Sequence, residues 1–165
     1  MFRSLKPLLV ILSLAGLSCA QAQTPVRGGT MTIALPTEPA HLNSAIDTTQ
    51  QVKIVAGKVY SGLVKYDLKM NMLPDLAQTW NVSPDGRRIT FNLRHGVKWH
   101  DGKDFTSADV AFSIMKGFGP NNGLVRTTFA NVESVQTPDP HTAVLVMRQP
   151  AAALMNALPV ATATI

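Results

Sequence analysis

Ser83-Pro84-Asp85-Gly86 lies between two runs of strand-forming residues, and that arrangement restricts the fold more than any other local feature of the chain. Proline at the second turn position fixes φ, and glycine at the fourth accepts positive φ, so the four residues reverse the chain. The reversal joins a strand predicted over 78–82 to one predicted over 88–93. In the second, Ile89, Phe91 and Leu93 alternate with Arg88, Thr90, Asn92 and Arg94. Period-two alternation means one apolar face and one wet face, as in an antiparallel sheet covered on one side. A second hairpin is predicted, with strands over 132–136 and 142–147 flanking Thr137-Pro138-Asp139-Pro140.

A helix is predicted between the two hairpins. Thr106-Ser107-Ala108-Asp109 fits a capping box, with Thr106 as N-cap and Asp109 at the third helical position. Ala111, Ile114 and Met115 continue its apolar face, with Phe112 at the edge. Gly117, Gly119-Pro120 and Asn121-Asn122-Gly123 are expected to end it in a long flexible loop. Upstream, Gln23 to Gly29 reads as an exposed lead-in, and Thr30 to Leu35 as a buried strand stopped by Pro36. From Thr48 the period changes: Val52, Val55, Ala56 and Val59 fall on one helical face, weakened by Gly57. A short strand follows at 63–66, and another helix is expected over 151–158, after Pro150. Apolar residues run up to Ile165 without a capping signal, which suggests a chain cut inside a larger fold.

The first 22 residues read as an export address. Met1 to Lys6 is short and basic, and Leu8 to Leu17 is apolar. Those ~10 residues would span only about 15 Å as a helix, half of a bilayer core. Ala20-Gln21-Ala22 then places small residues where a signal peptidase reads, so cleavage is expected before Gln23. Cys19 raises the rival of a lipid anchor, but Gly16 stands three residues before it, where a large aliphatic residue is normal. The expected organisation is a signal peptide over 1–22 and a truncated N-terminal portion of a larger domain over 23–165.

Composition excludes several function classes. The net charge is +5; without Arg3 and Lys6, 13 basic residues face 10 acidic ones, spread along the chain. That weak excess gives no nucleic-acid partner. A single cysteine excludes a disulfide framework and a Cys-rich zinc site. His95, His100 and Asp101 lie close in sequence, but five-residue spacing puts the histidines on no common helical face, so no metal or other cofactor is assigned. Gly28-Gly29-Thr30 lacks the remaining positions of a phosphate loop, and no serine sits in a nucleophile elbow. Glu38 and His41 form a weak acid–base pair. They fit better in a ligand-facing loop just beyond a strand's C-terminal end, where open α/β sheets bind. Trp80, Phe91 and Trp99 read mainly as core packing. No catalytic constellation is present, and the chain reads as a non-enzyme.

From Leu73 to Ile114 the sequence reads LPDLAQTWNVSPDGRRITFNLRHGVKWHDGKDFTSADVAFSI. Pro74, Leu76-Ala77, Trp80, Asp85-Gly86, Leu93-Arg94, Gly96-Val97-Lys98-Trp99, Asp101-Gly102, Phe105-Thr106 and Asp109-Val110 carry a resemblance throughout it. The stretch resembles the signature region of bacterial extracellular solute-binding proteins of family 5, the exported receptors of peptide, nickel and related ABC importers. Gly28-Gly29-Thr30, Pro39, Leu42 and Asn43 extend the likeness upstream.

The resemblance implies an α/β type II periplasmic-binding-protein fold. The chain would hold the N-terminal part of lobe one with its extra α+β subdomain, roughly the first third of a family member, and the second lobe would be absent. It implies a periplasmic receptor, monomeric at full length, that takes a peptide or other small solute and delivers it to an ABC permease in the inner membrane. Alternatives within the fold are a nickel chelate, an opine or an oligosaccharide; a further one is a truncated product that binds nothing. Thr37, Glu38, Pro39, Ala40 and His41 are the implied ligand-proximal residues, approaching mainly through their backbone. This chain has His41 where several relatives carry small residues. The segment Gly119 to Phe129 is a weaker second candidate.

Overall fold

The computed structural model describes residues 28–47, 49–117, 123–151 and 153–159. The predicted signal segment lies outside these residues, as do Gly119 to Asn122. The chain divides into two compact units, 1–34 and 35–165. In the first, residues 28–34 are exposed and have no regular secondary structure, so the strand expected over 30–35 is not formed. A strand exists by pairing, and this run has no partner strand among the described residues.

In the second unit the elements run α1 (Gln50–Val59), β1 (Val64–Tyr66), β2 (Met72–Pro74), β3 (Ala77–Val82), β4 (Arg88–Leu93), α2 (Ser107–Phe112), a π-helical segment (Ser113–Gly117), α3 (Gly123–Phe129), β5 (Val132–Asp139), β6 (Thr142–Met147) and α4 (Ala153–Ala157). Strands β3 to β6 form one antiparallel sheet in the order β3-β4-β6-β5. Both predicted hairpins are present. At the first, the Gly86 N–H donates to the Ser83 carbonyl at 2.8 Å, and Gly86 has φ 67°.

The alternation in β4 does what period two requires. Ile89, Phe91 and Leu93 are buried. Across the ladder Phe91 faces Ala143 and Ile89 faces Leu145, so a large ring sits beside a small side chain. Helix α2 packs on β5 and β6 and adds Val110, with Ile114 from the π-helical segment; Leu154, Met155 and Leu158 join the same core. Trp80 and Trp99 pack against its margin half-buried, and Trp99 meets Phe105 edge-on at 6.3 Å. Phe112 and Met115 are exposed, so the predicted helical face is narrower than its four apolar residues suggested.

Strand β5 runs further than predicted, through Pro138 to Asp139. Proline lacks the N–H a ladder needs. It is accommodated because β5 is an edge strand and its register shifts between Gln136 and Asp139. Residues 123–129 are helical, which corrects the expected loop there. Glycine and asparagine next to a proline signalled a loop, but propensity is a weak prior against packing.

The start of α2 carries its predicted cap: the Asp109 carboxylate accepts from the Thr106 N–H at 2.7 Å. Asp109→Ala removes that acceptor at the helix N-terminus and is expected to cost about 1 kcal/mol. The midpoint of urea unfolding checks this.

Aspartates organise the turns. Asp67 accepts from the Asn71 side chain and from the backbone N–H groups of Asn71 and Lys69. Those bonds, the Asn71 side chain first, hold its carboxyl below the ordinary aspartate value. Asp85 is lowered in the same way, chiefly by the Ser83 hydroxyl and then by the Arg87 N–H. A depressed folded-state value contributes stability that is present above the unfolded value, about 3.9, and is lost as pH falls through the folded one. Stability is therefore expected to fall as pH drops below about 4. In Asp67→Asn, the fall in the urea midpoint over that window should be smaller than in the parent.

Candidate functional site

The sequence-predicted site is the loop entering α1. Thr37, Glu38 and Ala40 are exposed, while Pro39 and His41 are half-buried. Pro36 and Pro39 keep these residues out of helix, and the chain bends at 36–37 and again at Ala40. Glu38 makes no hydrogen bond or ion pair among the described residues, so its carboxylate is free to face solvent or a ligand.

His41 is tied to the loop's other end. Its Nε2 lies 3.8 Å from Oδ2 of Asp47, and its Nδ1 is shielded from solvent without a hydrogen-bond partner. Asp47 accepts from the Thr49 N–H at 2.7 Å, just before α1 begins, and that bond is the main cause holding its carboxyl below the ordinary value. Between them Asn43 closes a turn by accepting from the Ala45 N–H at 2.9 Å. Ser44, within this turn, is buried. The backbone of the loop is thus fixed at Asp47, and the outward groups are Thr37, Glu38 and Ala40. Such a loop can present backbone polar groups and one carboxylate to a solute. It holds no nucleophile beside a base.

The downstream rings of His95 and His141 lie tilted at 42° with their centroids 3.8 Å apart, while Asp101 is engaged by the Lys103 side chain and N–H. Among the described residues no group of three or more His, Cys, Asp or Glu side chains is placed to hold a metal ion.

Sequence reasoning missed a cleft of about 310 Å³. Val59, Tyr60 and Ser61 at the end of α1 form one wall, and Val97 to His100 with Phe105 and Leu76 form the other. The second wall is a tight loop: Trp99 N–H donates to the Lys103 carbonyl at 2.8 Å, and Phe105 N–H to the Val97 carbonyl at 2.9 Å. Lys98 is paired with Asp104 at 2.6 Å, so the most prominent charge on this wall is already neutralised. No sequence signal marks the cleft, because its walls come from three separated stretches of chain. The exposure of Val59 is the nearest hint: its helical spacing placed it on the buried face, yet it lies open beside the cleft.

The chain is similar to known proteins. Residues 71–165 match the family model described as "Bacterial extracellular solute-binding proteins, family 5 Middle". The glutathione-binding protein of Salmonella typhimurium is 37% identical over 115 residues, covering 69% of this chain and 22% of that protein. Among solved structures, the periplasmic binding protein AgaA from A. tumefaciens R10, in complex with agropinic acid, superposes with a TM-score of 0.71 at 31% identity. That match covers 78% of this chain and 26% of the other. NikZ from Campylobacter jejuni, in complex with Ni(L-His), gives 0.65 at 33% identity, over 74% of this chain and 25% of the other. The chain spans about a fifth of the length of the curated relatives it matches and about a quarter of these solved structures.

Proposed function

Because the chain belongs to family 5 of the bacterial extracellular solute-binding proteins, we propose that it serves as part of a substrate-binding receptor of an ABC importer. It carries part of the type II periplasmic-binding-protein fold. In this reading the receptor captures a peptide or a related small solute in the periplasm and hands it to the membrane permease. The observation that carries the reading is the match itself, which spans residues 71–165 and so both β-hairpins of the sheet and the capped helix. Similar proteins bind glutathione, agropinic acid and a nickel–histidine complex, all small and polar. A peptide is the default among such solutes. The residues would act by binding and orientation, with closure around the solute stabilised by the tighter binding of the closed form.

The proposed solute-facing residues are Thr37, Glu38, Pro39, Ala40 and His41. Two features support them: the loop is open to solvent on the Thr37–Ala40 side, and its far end is pinned by Asp47. Export through a cleavable segment over 1–22 belongs to the same proposal.

Native mass spectrometry of the gene product, taken from the periplasmic and cytoplasmic fractions and sprayed under native and then denaturing conditions, tests both parts. The expected result is a chain beginning at Gln23 that releases a small polar solute on denaturation. A product retained in the cytoplasm with its N-terminus intact would overturn the export reading. A periplasmic product that carries no solute and shifts with none of the peptides offered to it would overturn the peptide-receptor reading.

A further inference from the structure

We draw no further inference here: the strongest candidate, the aromatic-walled cleft of about 310 Å³ between the end of α1 and the Val97–Phe105 loop, presents an apolar lining beside a lysine already paired with Asp104, and nothing in the structure shows what covers it.

Discussion

Phe91→Ala is expected to lower the unfolding free energy by about 3–5 kcal/mol, the range for emptying a buried aromatic site. The Phe91 ring is fully buried at the centre of β4 and lies beside Ala143, which is too small to fill the space it would leave. Domains of this size are stable by about 5–15 kcal/mol, so the loss is a large part of the total. Urea unfolding should show a much lower midpoint with an unchanged slope. The neighbouring Asn92→Ala removes an exposed hydrogen bond to Thr79 and should move the midpoint far less. Equal losses at the two positions would mean that the sheet is not covered on the Phe91 face.

Gly86→Ala should produce the second large effect, about 2–4 kcal/mol, from two costs that add at one atom. Gly86 has φ +67°, where an L side chain is strained. A Cβ built there would also lie 3.2 Å from Cβ of Pro150 and 3.6 Å from its Cα, and that contact is with a rigid ring rather than a flexible tip. The Gly86 carbonyl accepts from the Ala151 N–H at 3.0 Å, so the turn cannot move away without loosening the entry to α4. Gly57→Ala provides the contrast. Gly57 is inside α1 with open space around its Cβ direction, so the same substitution should stabilise by about 0.5–1 kcal/mol. Thermal unfolding of the two variants side by side reads the difference in sign.

What was legible in the sequence followed from strong local chemistry. The β3–β4 hairpin was marked by a turn whose residues each had a conformational reason to be there. The start of α2 was marked by a cap, and α1 by its spacing. Strand β2 was missed because Met72, Leu73 and Pro74 are too few to show a period, and one of them is proline. Its existence depends on pairing with β1, which is a tertiary fact. The same dependence worked in reverse at Thr30 to Leu35, where good strand residues found no partner among the described residues. Helix α3 was hidden because its glycine start resembles a loop. At the candidate site, the sequence supplied Glu38 and His41 as a pair. The structure instead couples His41 to Asp47 and leaves Glu38 open, a distinction that depends on how the turn at Asn43 folds back. The cleft beside Tyr60 was illegible for a simpler reason: its walls become neighbours only after folding.

The strand order has a consequence for how the subdomain assembles. The β3–β4 and β5–β6 hairpins each close over a short turn, which is fast, on the order of microseconds. The β4–β6 ladder instead joins residue 89 to residue 145 and must bring the whole helical segment between them into place. Loop-closure entropy is spent before those pairings return anything, so docking of two preformed hairpins is the expected slow step. A newly synthesised chain would therefore pass through a stage with two ribbons and an uncovered Phe91 face. The order of strands thus sets when this sheet is most exposed to aggregation and to proteases.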